Sequence, residues 1–195
     1  AFLDDIAARY PDKVGYTNMD CGLTYSRTAA LTKELAAYLQ SLGLKPGDRV
    51  AIMMPNLLQY VIAMYACLRA GYIVVNINPL YTSREVNGTL RDSEAKAIII
   101  IENFAKTLQN ALPGTKCEHI ITTAVGDLFP FFKRTLVNFV VRKVKKMVPE
   151  YSLPNAVGFN EALEIGRRHG FTAHEIHNTD IAFLQYTGGT TGGAK

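Results

Sequence analysis

A chain of 195 residues, 48% of them hydrophobic, is long enough to bury a core in one or two units. Its net charge of +4 is a local feature: six of the 21 basic residues lie between Leu128 and Pro149, a stretch with no acidic residue, which leaves 15 basic against 17 acidic elsewhere. That balance argues against a general nucleic-acid-binding surface. Cys21, Cys67 and Cys117, widely spaced and without a Cys-x-x-Cys pair, argue against a disulfide or zinc site and for reduced thiols in a cytosolic protein. No apolar run is long enough to cross a bilayer.

In chain order, Phe2 to Arg9 reads as the end of a helix stopped before Pro11. Val14–Thr17 and Gly22–Tyr25 pair as a short hairpin around Asn18-Met19-Asp20. Between Ser26 and Leu42, Ala29, Leu31, Leu35, Ala36, Leu39 and Leu42 recur at helical spacing, and Gly43 closes the helix. Pro46-Gly47-Asp48 turns the chain into an apolar strand, Val50 to Met54. A helix is expected from Pro55-Asn56 to Ala70, stopped by Gly71, and then a strand from Tyr72 to Val75.

Ser83 is expected to cap a helix reaching about Ser93. Ala97 to Ile101 is the strongest strand in the chain, followed by a helix from Phe104 to Ala111 and a strand from His119 to Thr123. Strands alternating with helices at crossover spacing predict an α/β fold, with a mainly parallel sheet and helices on its faces.

Residues 128–149 are expected to form a basic amphipathic helical insertion. At about 100° per residue, Arg134, Thr135, Asn138, Arg142, Lys145 and Lys146 share one arc. Phe132, Leu136, Val137, Phe139, Val140, Val141, Val144, Met147 and Val148 fill the rest, with Lys133 and Lys143 as exceptions. Such a helix suits an anionic membrane surface, with Lys133, Arg134, Arg142, Lys143, Lys145 and Lys146 as the lipid-facing cations. The alternative is a helix docked on the domain with its charges in water.

His174-Glu175-Ile176-His177 lacks the spacing of a His-Glu-x-x-His site and reads as a solvated segment. Asp180 stands where it can orient the strand Ile181–Leu184, which runs into Tyr186-Thr187-Gly188-Gly189-Thr190-Thr191-Gly192-Gly193-Ala194-Lys195. Glycine brings peptide N–H groups close to an anion, threonine hydroxyls add donors, and lysine adds a positive charge. The residue pattern is that of a polyphosphate-holding loop. It is neither a Walker A loop, since Ala194 separates Gly193 from Lys195, nor a dinucleotide fingerprint.

The full string is similar to the phosphate-loop signature of the adenylate-forming superfamily. The resemblance extends through Thr24-Tyr25, Gly47-Asp48-Arg49-Val50, Pro55-Asn56, Ala70-Gly71 and Asn78-Pro79-Leu80-Tyr81-Thr82, and it looks most like bacterial long-chain fatty-acid–CoA ligases. It implies ATP, Mg²⁺ and coenzyme A as co-substrates, and a long-chain fatty acid activated as its acyl-adenylate. Thr187, Gly188, Gly189, Thr190, Thr191 and Gly192 would cradle the phosphates, with Thr187 a contact to Mg²⁺. Lys195 would neutralise pyrophosphate, and Tyr186 would set the loop's position.

On this reading residues 1–195 are a partial N-terminal domain whose catalytic centre is incomplete and whose C-terminal domain is absent, so the fragment alone is expected to be inactive. It is expected to self-associate, and its parent to sit in the cytoplasm against the inner face of the membrane. Two alternatives stay open: a synthetase for a medium-chain or aryl acid, and a non-catalytic module that binds a membrane or partner.

Overall fold

The computed structural model describes residues 2–186. The elements run α1 (Phe2–Arg9), β1 (Val14–Asn18), β2 (Cys21–Thr24), α2 (Tyr25–Ser41), β3 (Arg49–Met53), α3 (Leu58–Arg69), β4 (Ile73–Asn76), α4 (Ser83–Ser93) and β5 (Ala97–Ile101). They continue with a 3₁₀ turn (Glu102–Phe104), α5 (Ala105–Ala111), β6 (His119–Thr123), α6 (Phe131–Phe139), a π turn (Val140–Val144), β7 (Ala156–Gly158), α7 (Phe159–His169) and β8 (Phe183–Gln185). Six strands form one parallel sheet in the order β7-β6-β5-β3-β4-β8, and β1 and β2 make a separate antiparallel hairpin. The expected α/β architecture is therefore present.

Alternation along the strands divides the core. Val50, Ile52 and Ile99 face α2, α3 and α7, where they meet Leu31, Leu35, Leu39, Ile62 and Phe159. Ala51, Met53, Ile98 and Ile100 face the other way, against Val86 and Leu90 of α4 and Leu108 of α5. β5 is buried along its whole length, which is why it reads as an unbroken apolar run. Each of its isoleucines contributes about 1.5–3 kcal/mol by leaving water.

Local chemistry sets the element ends. Met19 and Asp20 both have positive φ (47° and 59°), the backbone of a two-residue turn whose twist matches the hairpin. Thr24 caps α2 by accepting from the Arg27 N–H at 3.2 Å. At α4 the cap is Thr82 rather than the expected Ser83: its hydroxyl accepts from the Glu85 N–H, and the Glu85 carboxylate accepts from the Thr82 N–H. The helix expected from Pro55-Asn56 begins only at Leu58.

β7 and α7 lie in a stretch to which the sequence reading gives no element. α7 crosses α2 so closely that a Cβ on Gly166 would sit 1.8 Å from the Glu34 carbonyl oxygen.

The basic segment is helical only from Phe131 to Val144, not over 128–149. Gly126 to Leu128 belong to a turn, and past Val140 the ladder slips to π spacing, with the Lys145 N–H bonded to the Val140 carbonyl at 2.8 Å. Lys146 then takes a positive φ of 50°, which ends the helix.

Candidate functional site

The sheet's carboxyl edge holds the candidate site. The chain leaves β3 toward α3 on one face and leaves β4 toward α4 on the other, so a crevice opens between their ends, as at the ligand-binding edges of open α/β sheets. β8 pairs with β4 in parallel, with Asn76 opposite Gln185, and brings Gln185 and Tyr186 to the same rim. A cavity of about 380 Å³ lies there, lined by Tyr60, Asn76, Asn78, Tyr81, Gln185 and Tyr186 among others.

Its polar groups are linked. The Tyr60 hydroxyl donates to the Asn76 carbonyl oxygen Oδ1 at 3.1 Å, and Asn76 Nδ2 donates to Gln185 Oε1 at 3.0 Å. The Tyr186 hydroxyl donates to Asp92 Oδ2 at 2.5 Å. Burial first, and then that carboxylate, push the Tyr186 hydroxyl up to about 12, so it remains a neutral donor at physiological pH. The side-chain bonds fix the end of β8 to β4 and α4 at the point where the glycine–threonine string begins.

Of the predicted phosphate-site residues, Tyr186 is at this rim, and Thr187, Gly188, Gly189, Thr190, Thr191, Gly192 and Lys195 lie outside the described residues. From sequence Tyr60 reads only as part of a helix, and Asn76 and Gln185 carry no site role. The signal available for Asn76 was a polar Asn-x-Asn at the end of a buried strand, a place where alternation alone predicts nothing polar.

Among the described residues no three His, Cys, Asp or Glu side chains come together as a metal site. The His174–His177 segment is exposed, and Asp180 accepts from the His177 N–H at 2.8 Å to form a local turn. Cys21 and Cys67 are buried free thiols, and burial raises the Cys117 thiol to about 12.

The six basic residues of the predicted membrane helix are far from uniform. Arg142 grips the buried Glu102 carboxylate with two parallel bonds of 2.8 Å, so its guanidinium faces the domain. Asn138, on the same predicted polar arc, is 9% exposed and accepts from the Gly126 N–H at 2.8 Å. Lys133 reaches the Met19 carbonyl in the hairpin turn, and Arg134 lies over the Phe131 ring. Lys143, Lys145 and Lys146 are exposed.

The AMP-binding enzyme family model matches residues 3–195. The long-chain-fatty-acid–CoA ligase of Haemophilus influenzae is 52% identical over 193 residues, which is 98% of this chain and 34% of that protein. The ligase of the same name from Bacillus subtilis is 37% identical over 196 residues, covering 100% of this chain and 35% of that one. The chain thus spans about a third of the length of these relatives.

Among solved structures, the anthranilate CoA ligase AuaEII with anthranoyl-AMP superposes with a TM-score of 0.75 at 22% identity, over 98% of this chain and 32% of that one. A long-chain-fatty-acid–CoA ligase from Archaeoglobus fulgidus gives 0.72 at 23%, over 97% and 34%. These two similarities establish the fold. With a family model matching nearly every residue and a parallel sheet whose carboxyl edge carries the candidate site, the chain belongs to the AMP-binding enzyme family.

Proposed function

We propose that this chain serves in an ATP-dependent ligase that joins a long-chain fatty acid to coenzyme A through an acyl-adenylate. The observation that carries the proposal is the position of Tyr186: it ends a parallel strand at the sheet's carboxyl edge, next to a polar cavity, immediately before a string rich in glycine, threonine and lysine. The acyl class is taken from relatives 51–52% identical that carry the long-chain name.

In the first step a carboxylate oxygen of the acid attacks the α-phosphorus of ATP, and the bond to the bridging oxygen of the β-phosphate breaks, releasing pyrophosphate. The coenzyme A thiol, losing its proton, then attacks the acyl carbonyl carbon and AMP leaves. Negative charge grows on pyrophosphate during the first step, so N–H and hydroxyl donors from Thr187 to Gly192 and the ammonium of Lys195 would stabilise that transition state. Tyr60, Asn76 and Gln185 would hold the rim in place.

The described cavity is lined by amides, hydroxyls and apolar side chains without a carboxylate, so Mg²⁺ there would be held mainly by phosphate oxygens and water. When bound, the ion would neutralise phosphate charge, and Thr187 would be its expected protein contact.

Pyrophosphate exchange by the full-length protein tests this reading. Exchange should depend on long-chain fatty acids, and Lys195→Ala should slow it about 100-fold while thioester formation from preformed acyl-adenylate changes far less. Exchange supported only by aryl or medium-chain acids, or equal slowing of both half-reactions, contradicts it.

A further inference from the structure

The helix from Phe131 to Val144 is mounted with part of its polar arc inward. Asn138 and Arg142 hold it to Gly126 and Glu102, and Val137 packs on the core. On the side away from these anchors, Phe132 is 86% exposed, Leu136 64% and Phe139 56%; Phe131, Val144 and Met147 are exposed nearby. An isolated exposed leucine needs no explanation, but Phe132, Leu136 and Phe139 at i, i+4 and i+7 on one exposed helix face do. Met19, at the hairpin tip that Lys133 reaches, is also 51% exposed and extends the apolar surface.

Charge identifies the occupant. Lys133, Arg134, Lys143, Lys145 and Lys146 flank the row, and no acidic residue occurs between Leu128 and Pro149. Lysine is depleted from the buried centres of protein interfaces, where its ammonium would lose water without a partner. At a lipid surface the same arrangement is favourable, because phenylalanine and leucine enter the acyl boundary while ammonium groups meet anionic headgroups.

We propose that the face carrying Phe132, Leu136 and Phe139 docks on an anionic bilayer, and that Arg142 is a positioning residue which aims it outward rather than a lipid contact. The role divides the segment differently from its helical wheel. Lipid binding belongs to the exposed apolar row and the free lysines, and anchorage to Asn138 and Arg142.

Co-sedimentation of the full-length protein with phosphatidylcholine vesicles, with and without phosphatidylglycerol, tests the proposal. Binding should require phosphatidylglycerol and weaken with salt. The pair Phe132→Ser and Leu136→Ser should reduce it by about tenfold or more, since two large side chains would no longer leave water. The pair Lys143→Gln and Lys145→Gln should reduce it about tenfold on anionic vesicles, and this arm stands even if the serine pair fails to fold. Equal binding by wild type and both variants overturns the proposal. So does an absence of vesicle binding combined with a serine pair that changes the oligomeric state or the protein's thermal stability, which would assign the face to a second copy or to the rest of the protein.

Discussion

Tyr186 and Asp48 show how single residues at opposite ends of the sheet acquire their roles. Tyr186 is held neutral by burial and by Asp92, so it contributes a fixed donor rather than a charge to the rim. Asp48, before β3, is 8% exposed. Burial alone would raise its carboxyl, but the Lys45 N–H at 2.8 Å and the Lys96 ammonium at 2.8 Å hold it below its ordinary value of 3.8.

A depressed folded-state pKa gives stability that is present above the unfolded value and is lost as pH falls through the folded one. Acid unfolding should therefore cost the wild type about 1 kcal/mol more than Asp48→Asn between roughly pH 5 and roughly pH 2, because the amide cannot lose a charge pair. Urea titrations across that range check it, and parallel stability curves for the two proteins contradict it. At this scale little was legible in advance. Gly47-Asp48 could be read as a turn, but the Lys96 partner lies 48 positions away and the Asn76–Gln185 pair is separated by 109.

Elements with a local code were readable, and those that depend on distant partners were not. The hairpin follows from Asn18-Met19-Asp20, β5 from its apolar run, and α2 from its helical spacing closed by Gly43 at φ 82°. The cap of α4 moved by one residue because Thr82 reaches Glu85 in a reciprocal pair, which a choice between two adjacent hydroxyl residues does not reveal. α6 kept its helical character but not its predicted length or outward face, since the buried Glu102 that turns Arg142 inward lies 40 residues earlier.

α7 offered Phe159, Ala162, Leu163 and Gly166 at helical spacing, yet its preceding strand of three residues is too short for alternation to register. Gly166 records what sequence alone could not: the crossing with α2. Gly166→Ala must push Glu34 and Tyr38 backbone atoms aside, at a cost of about 1–3 kcal/mol or more. Gly158→Ala, whose added methyl meets nothing within 4 Å, should change stability little. Thermal unfolding of the two variants decides this, and equal losses would contradict the close crossing.

On the scale of the whole molecule, two apolar layers enclose a parallel sheet and leave its carboxyl edge as the open, polar end. The binary pattern of strands and crossover helices sufficed to anticipate that architecture. The strand order was not available, because nothing local to β8 says that it joins β4 after more than 100 intervening residues. That single pairing puts Gln185 and Tyr186, which the glycine–threonine string follows in sequence, at the same cavity as Asn76 and Tyr60. A crystal structure of the full-length protein with a non-hydrolysable ATP analogue tests this placement most directly. The β- and γ-phosphates should lie within hydrogen-bonding distance of the peptide N–H groups of residues 187–192, at the carboxyl ends of β4 and β8. A triphosphate bound at the amino edge of the sheet, or on the α6 face, would contradict it.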